Sequence, residues 1–209
     1  ANTIRFTRNT PDMTAASSIA QAARGSYDFY LALHSNASGD GSTEGRQRGI
    51  IAFYYPTSAN GRRAANIFVE NLKEIYPLPS LVTARATTAL GEVRHPKPPS
   101  VLLEIGYHDN FADARWIEGN REAIARQLGL SLTEFFGLPF IEPMETRYGT
   151  VVLESGSLLL RSRPEREAGV VTRMPAGASV SVHGEWQGWY VVHYGVYVGY
   201  AAAQYIQLG

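Results

Sequence analysis

The sequence predicts a three-layer α/β domain, in which helices cover both faces of a mixed twisted sheet, followed by a small all-β barrel. Strand-like and helix-like segments alternate through about residue 140. Helical periodicity then disappears after Tyr148, where short strand-like runs recur between Gly and Pro. The composition also changes after Phe140, and Pro143 lies inside the stretch that follows. We therefore divide the chain into a first domain at 1–140, a linker at 141–147 and a second domain at 148–209.

Composition excludes several classes of protein. The 209 residues carry a formal net charge of zero and no basic stripe, which argues against a nucleic-acid partner. Because the chain has no cysteine, disulfides, thiolate metal ligands and a cysteine nucleophile are excluded, and any metal must be held by His, Asp, Glu or water. No apolar run is long enough to span a membrane, and no signal peptide is visible. Residues 3–8 already read as a strand inside a fold, so we expect the natural N-terminus to lie further upstream.

Local signals place the elements of the first domain. Thr10 and Pro11 are typical of a helix start, and Ser58 is a second candidate N-cap. Pro77 and Pro79 should end the helix that begins after Ser58, because proline cannot continue a helix. The sequence assigns no element to 82–93, and it predicts an extended, proline-rich run at 94–100. The predicted strands are 3–7, 27–34, 50–55 and 101–106, and the predicted helices are 11–23, 58–76 and a long one from Asn110 or Asp113 to 136.

Two polar side chains lie in or directly after apolar strand-like runs. His34 ends the run that begins at Tyr27, and Glu104 lies within the run 101–106. Ligands of open α/β sheets bind beyond the carboxyl ends of the strands, and a neutral imidazole is a good zinc ligand. The alternatives are a hydrogen-bonded histidine at a strand end and a structural carboxylate with a partner, since unpaired burial of a charge is costly.

The segments around these two residues resemble the zinc-dependent N-acetylmuramoyl-L-alanine amidases of bacterial cell-wall turnover. That family has a strand that ends in His followed closely by Asn-Ala, which matches LHSNA at 33–37. It also has a strand that ends in Glu, then Gly, an aromatic residue and Asn, which matches LLEIGYHDN at 102–110. The two motifs occur in the family's order at a plausible separation, and the resemblance covers about residues 3–140.

The resemblance implies a zinc ion held by His, Glu and His, with a second Glu that acts on water. His34 matches the last of the three ligands, and Glu104 matches the catalytic Glu. The first His and the ligand Glu belong to the first strand and first helix of the family's fold, which we expect to lie before residue 1. Because a catalytic zinc needs three protein ligands, the chain alone is expected to be inactive or free of metal.

Four polar residues beside the motifs are candidate substrate contacts, namely Asn36, Arg94, His108 and Asn110. His108 could touch the substrate, contribute to the metal site or be an exposed loop residue. Arg94 could contact a substrate carboxylate or pair with Glu92. The polar loop at 36–48 is expected to form one rim of the substrate groove.

The second domain resembles bacterial SH3 domains. The run from Leu160 to Pro164 matches the family's Leu-Asn-Val-Arg-Ser-x-Pro, although Leu159 stands where the family has a polar residue. The runs GWYVV at 188–192, GY at 199–200 and YI at 205–206 match the rest of the family's pattern. Such domains commonly bind wall peptides, and the candidate contacts are Trp189, Tyr190 and Tyr200. The alternative is that about half of the aromatic residues here form the core of the barrel.

Together the two resemblances imply a peptidoglycan hydrolase that cleaves the amide between N-acetylmuramic acid and L-alanine with a zinc-activated water and binds the wall through its barrel. Such a protein would be extracellular or associated with the cell wall. Two other classes stay open: a non-catalytic wall-binding protein that has lost its metal, and a zinc peptidase that acts on wall peptides. The sequence leaves the oligomeric state open.

Overall fold

The structure, a computed structural model, describes residues 15–24, 26–39 and 42–209. The described residues fall into two compact units, the first ending at Gly137 and the second beginning at Leu138. The strand predicted at 3–7 and the start of the helix predicted at 11–23 lie outside the described residues.

Among the described residues, a mixed sheet of four strands with the order β1-β4-β2-β3 forms the centre of the first unit. β1 runs parallel to β4, whereas β2 runs parallel to β3 and antiparallel to β4. β4 is therefore an inner strand, and its burial on both faces explains its apolar sequence. The strands are β1 (Tyr30–Asn36), β2 (Ile50–Tyr54), β3 (Val82–Ala86) and β4 (Ser100–Tyr107).

Helices cover both faces of this sheet, as the sequence predicts. They are α1 (Ala15–Ala23), α2 (Ala59–Lys73), α3 (Gly91–Arg94), α4 (Phe111–Gly119) and α5 (Arg121–Phe136), with a 3-10 turn at Pro79–Leu81. On one face, α2, α4 and α5 share a core with the strands that includes Phe68 and Leu103. On the other face, Val93 of α3 packs against Ala32 and Leu102. Within the described part of the chain, no helix has the length and apolar character needed to cross a membrane.

The single long helix predicted up to residue 136 is two helices, so that prediction was wrong. Asn110 caps α4, because its Oδ1 accepts hydrogen bonds from the N–H groups of Ala112 at 3.1 Å and Asp113 at 3.2 Å. The chain leaves the helical region at Asn120, where φ is −123° and ψ is 21°, and α5 begins at the next residue. Glycine and asparagine favour helix ends, so the Gly119-Asn120 pair accounts for the break.

The connection between β3 and β4 also differs from the prediction. Residues 82–93, which the sequence leaves unassigned, contain β3 and most of the short helix α3. Arg94 is the last residue of α3 rather than the start of an extended run. This correction matters for the site, because α3 carries Glu92 and Val93 on its buried side.

β4 has an irregularity directly after Glu104. Against β1, His34 pairs with Glu104 but Asn36 pairs with Tyr107, so β4 contains one extra residue over this interval. Gly106 lies within it at a φ of 73°, and a Cβ at that position would come within 3.1 Å of a methyl carbon on α4. Glycine suits this position because it adopts the left-handed backbone conformation without strain and has no side chain to clash with α4.

The second unit is an all-antiparallel sheet of seven strands in the order β11-β5-β8-β9-β10-β6-β7, which confirms the predicted all-β class. Alternating residues of its strands, such as Leu158 and Leu160 or Val180 and Val182, form a separate hydrophobic core. The strands are β5 (Arg147–Val151), β6 (Ser157–Arg161), β7 (Val170–Pro175), β8 (Ser179–Trp186), β9 (Trp189–Tyr194), β10 (Tyr197–Ala202) and β11 (Ile206–Leu208).

Candidate functional site

His34 and Glu104 lie side by side on the face of the sheet that α3 covers. The two residues are direct partners in the parallel β1–β4 pair. Since side chains alternate between the faces of a strand, both share the face of Ala32 and Leu102, which pack against α3. The structure therefore brings together the two residues that the sequence selects as metal ligand and catalytic carboxylate.

Glu92, on α3, holds the ring of His34. Glu92 is only 7 % exposed, and its Oε2 accepts a hydrogen bond from His34 Nε2 at 2.9 Å. Its Oε1 accepts a hydrogen bond from the Tyr30 hydroxyl at 2.8 Å. Burial and the bond to Glu92 both raise the pKa of Tyr30 above its ordinary value. No ion pair joins Arg94 to Glu92 within the described part of the chain, so that alternative was wrong.

Glu104 has a carboxylate oxygen without a hydrogen-bond partner. Its Oε2 is buried, and no donor to it is found among the described residues. Burial is the largest influence on the pKa of Glu104 and raises it. The charges of His34 and His108 lower this pKa, and the charge of Glu92 raises it further. A carboxyl group with a raised pKa takes up and releases a proton closer to neutral pH than an ordinary one. Glu104 is therefore suited to acid–base chemistry.

His108 follows the irregular end of β4 and is tied to β1. Its backbone N–H donates to the carbonyl oxygen of Asn36 at 2.8 Å. Its ring Nδ1 lies 3.1 Å from the carbonyl oxygen of Ser35 and 3.0 Å from the Ser35 hydroxyl. Because a carbonyl oxygen only accepts, Nδ1 carries the proton, which leaves Nε2 for solvent or a ligand. His108 also influences the pKa of Glu104, so the two side chains belong to one site.

The other three candidate substrate contacts lie in different settings. Asn36 ends β1, and its Oδ1 accepts a hydrogen bond from the next backbone N–H at 2.8 Å. Asn110 is buried, and in addition to its capping role its Nδ2 donates to a carbonyl oxygen of the loop after β1 at 2.7 Å. Arg94 lines a cleft of about 300 Å³ whose lining does not include His34 or Glu104. Their substrate contacts stay predictions, and the bonds of Asn110 favour a structural role.

The loop after β1 is fastened to the segment after β4. Asp109 Oδ2 accepts hydrogen bonds from the Ser38 N–H at 2.7 Å, the Ser38 hydroxyl at 2.8 Å and the next N–H at 3.1 Å. Desolvation opposes the effect, but these bonds lower the pKa of Asp109. At the other end of the loop, the fully buried Asp113 accepts from Arg48 Nε at 2.8 Å. The predicted rim of the groove is therefore attached to the strand that carries Glu104.

The donors at this site fit part of a zinc centre. No group of three His, Asp or Glu side chains in residues 15–24, 26–39 and 42–209 is placed to hold a metal ion. His34 offers its Nδ1, for which the described residues provide no hydrogen-bond partner. Glu104 adds an unpaired oxygen within the influence of His34. This chemistry suits one metal ligand and one adjacent acid–base group, and the described residues do not complete a set of three ligands.

The sequence missed three residues of this site, namely Glu92, Tyr30 and Ser35. Glu92 lies beside Val93 in a segment to which the sequence assigns no element. The available signal was its charge, because an acidic residue next to apolar neighbours needs a partner if the segment is buried. The partner itself could not be read from the sequence, since His34 lies 58 residues away.

The three aromatic candidates in the second unit differ in burial. Tyr200 is 8 % exposed, and its burial raises its pKa, with Arg163 acting in the opposite direction. Trp189 and Tyr190 begin β9 and are half-buried, and Tyr190 packs against the core. Tyr190 thus packs against the core, as the alternative interpretation expects, whereas Tyr200 is buried but is not part of the core cluster, and the peptide contacts stay predictions.

Fold and site together define a class: an α/β domain in which an imidazole and a carboxyl with a raised pKa are partners on adjacent parallel strands, joined to an antiparallel β domain. The sequence profile of the N-acetylmuramoyl-L-alanine amidases matches residues 2–133, more than half of the chain, so the chain belongs to that family. The profile of the bacterial SH3 domain matches residues 156–207. Both resemblances deduced from the sequence are thereby confirmed.

Several solved structures are similar to this chain. The catalytic domain of the CD27L endolysin targeting Clostridia difficile is 24 % identical, with a TM-score of 0.48, over 59 % of this chain and 62 % of that chain. The CwlD amidase from Clostridioides difficile, solved in complex with the GerS lipoprotein, is 15 % identical, with a TM-score of 0.51, over 63 % and 70 %. The N-acetylmuramyl-L-alanine amidase Ami1 from Mycobacterium smegmatis is 17 % identical, with a TM-score of 0.51, over 64 % and 65 %.

The two matches with a TM-score of 0.51 establish the fold of the first unit, and all three span only part of the proteins concerned. The chain covers 62 % of the length of the endolysin domain and 65 % of that of Ami1. No curated protein matches the sequence.

Proposed function

We propose that this chain is part of a peptidoglycan hydrolase that cleaves the amide between N-acetylmuramic acid and L-alanine, with zinc as its cofactor. The observation that carries the proposal is the state of Glu104. One carboxylate oxygen of Glu104 is buried without a partner among the described residues, the pKa of Glu104 is raised, and Glu104 pairs with His34 across the two parallel strands. Membership of the amidase family supports the choice of substrate.

The proposed chemistry is the addition of water across the amide. A bound zinc ion, with His34 as one ligand, would acidify water and polarise the scissile carbonyl. Glu104 Oε2 takes up a proton as the water oxygen attacks the carbonyl carbon. Glu104 then delivers that proton to the nitrogen of L-alanine as the C–N bond breaks. The products are a carboxylate on the muramic acid and a peptide with a free amino terminus.

Digestion of purified peptidoglycan tests this proposal. We expect new amino-terminal L-alanine with the active protein, and a loss of roughly 10²–10⁴-fold in Glu104→Gln, the range for removal of a general acid–base group. In the complete protein, Glu104→Ala should abolish hydrolysis while the metal content stays intact. Glu118→Gln is the matched control, because Glu118 is an exposed glutamate on α4. Undiminished hydrolysis by Glu104→Gln would refute the proposed acid–base role of Glu104.

The second unit would bring the enzyme to its substrate. The match to a bacterial SH3 domain and the separate hydrophobic core support an independent wall-binding function for 148–209, and hence action outside the cell or at the wall. This fragment should sediment with purified cell wall, and Trp189→Ala should weaken that binding. If the fragment stays in the supernatant, the second unit is a structural appendage.

A non-catalytic wall-binding protein is the second candidate. That protein would bind wall without zinc and release no new amino termini. A zinc peptidase would instead release amino termini from peptide bonds within the stem, so product analysis separates all three classes.

A further inference from the structure

Glu92 is a buried acidic side chain that the proposed chemistry does not use. The residue is 7 % exposed, and a buried carboxylate is costly unless its oxygens are paired. Both oxygens have a partner: the Tyr30 hydroxyl at 2.8 Å and His34 Nε2 at 2.9 Å. The nitrogen that meets this carboxylate therefore belongs to the residue proposed as a metal ligand.

The packing of α3 fixes the position of Glu92. Its neighbour Val93 is buried against Ala32 and Leu102, which lie two residues before His34 and Glu104 on the same strands. At the start of the helix, a Cβ on Gly91 would lie only 3.3 Å from the Ile19 side chain of α1, so that helix closes in on the same segment. The segment that carries Glu92 is therefore packed against the sheet and α1, and the Tyr30 hydroxyl holds the carboxylate itself.

The direction of the hydrogen bond sets the protonation of the imidazole. An ionised carboxylate only accepts, so the nitrogen that faces Glu92 Oε2 must be the protonated one. In a neutral imidazole the other nitrogen, Nδ1, then carries the lone pair. The described residues give Nδ1 no hydrogen-bond partner, so its lone pair is free to bind a ligand.

We propose that Glu92 is a positioning residue, which holds His34 in the Nε2–H tautomer and thereby assigns metal binding to Nδ1. A carboxylate that accepts from the second nitrogen of a histidine ligand fixes the ring and increases its basicity. The metal part of this inference rests on the proposed function, whereas the tautomer is a property of the chain itself. Glu92 acts through His34 and does not need to touch substrate.

Nitrogen-15 NMR of the imidazole rings tests the tautomer in the full chain without metal. The chain has five histidines, and the His34 signals are assigned by their loss in His34→Asn. At a pH of about 8.5, well above the free imidazole pKa of about 6.5, His34 should show a protonated Nε2 whose proton exchanges slowly with water. A proton on Nδ1, or rapid averaging of both tautomers, would overturn the proposal, and this readout needs no substitution of Glu92.

Two substitutions separate positioning from general stability. Glu92→Gln keeps the shape but offers one acceptor oxygen to two donors, so the slowly exchanging Nε2 proton should be lost. Tyr30→Phe removes a hydrogen bond from Glu92 and leaves its contact with His34, so the ring proton should stay on Nε2. If both variants had the same effect, loosening of α3 would explain it and the proposal would fail.

Zinc binding supplies a second readout. With zinc alone as the probe, the apparent Kd of Glu92→Gln should rise roughly 10–100-fold, and that of Tyr30→Phe much less. An unchanged Kd in Glu92→Gln would contradict the proposal. These titrations use the complete protein, which includes the ligands expected upstream. Failure of that protein to bind zinc would count against the zinc-hydrolase proposal, and the ring-proton measurement would still decide on Glu92.

Discussion

Replacement of Asp113 by Asn should destabilise the first unit strongly. The residue is 0 % exposed, and Oδ1 accepts from Arg48 Nε at 2.8 Å and from the Tyr76 hydroxyl at 2.6 Å. Oδ2 accepts from the backbone N–H groups of Gly49 and Tyr107, both at 3.1 Å. All groups that surround Asp113 in these bonds are donors, so an acceptor-only carboxylate suits the position.

The size of the effect follows from what asparagine lacks. Its amide offers one acceptor oxygen and directs an NH2 group at donors, and it leaves Arg48 without a counter-charge. Loss of one partner of a buried ion pair costs about 3–5 kcal/mol. Because the Arg48 side chain is 27 % exposed and water can solvate it in part, we expect a value of about 3 kcal/mol. That is a large part of the roughly 5–15 kcal/mol that stabilises a typical domain.

Denaturant unfolding measures this loss. The transition of the first unit should move to lower denaturant concentration with an unchanged slope, while that of the second unit stays in place. Glu70→Gln is the control, because Glu70 is 72 % exposed and bonds Lys73 at 2.8 Å, an exposed pair worth less than about 1 kcal/mol. If Asp113→Asn lost no more stability than this control, the reasoning would be refuted.

The pH dependence gives an independent check on Asp113. Burial acts to raise its pKa, but the hydrogen bonds from Tyr76, Arg48 and two backbone N–H groups outweigh it, so the pKa is lowered. A carboxyl with a lowered folded pKa contributes stability above its unfolded value of about 3.9, and this is lost as the pH falls through the folded pKa. The difference between parent and variant should therefore persist from about pH 5 to 8 and shrink in acid.

Three further predictions concern Glu104, Asn110 and His183. Burial, the largest influence, raises the pKa of Glu104, so ionisation of this carboxyl destabilises the fold as the pH rises through the folded pKa. Glu104→Gln should therefore raise the unfolding midpoint at pH 7. Below about pH 4, where the carboxyl is protonated, the variant should lose this advantage. Asn110→Ala removes the cap of α4 and the hydrogen bond to Gly45. Thermal melting should show a loss of about 1–2 kcal/mol in the free energy of unfolding. An unchanged stability would mean that water replaces both interactions. Burial and the neighbouring His193, whose ring centroid is 4.2 Å away, lower the pKa of His183. The contribution of His183 to stability is therefore complete above about pH 6.5 and is lost as the pH falls. The midpoint of the second unit should therefore decrease in weak acid, and His193→Gln should reduce that decrease; an equal decrease in the variant would exclude the coupling.

Elements with local causes were predictable from the sequence. Ser58 caps α2 by accepting the Gly61 N–H at 3.0 Å, as its type and position indicate. The β4 segment is apolar because both faces of an inner strand are buried. The break at Asn120 was missed although Gly119-Asn120 is a typical helix end, because apolar residues continue on both sides of it.

The surroundings of the catalytic candidates were less predictable. The sequence indicated His34 and Glu104, since both are polar residues in recognisable apolar strand-like runs. Glu92 lies on a helix of four residues, which is too short to produce a periodic pattern. Its contact with His34 exists because a connection between two strands folds back over the sheet, and that is a property of the tertiary structure.

The attachment of the loop after β1 has a consequence for the thermodynamics of ligand binding. The bonds of Asp109 to Ser38 and of Asn110 to Gly45 order the described parts of this loop when the protein folds. A glycan or peptide that contacts the loop would therefore meet residues whose conformational entropy is already lost, which favours affinity. Substitutions at Asp109 should thus appear in calorimetry as a more unfavourable binding entropy, even where no contact with the ligand is removed.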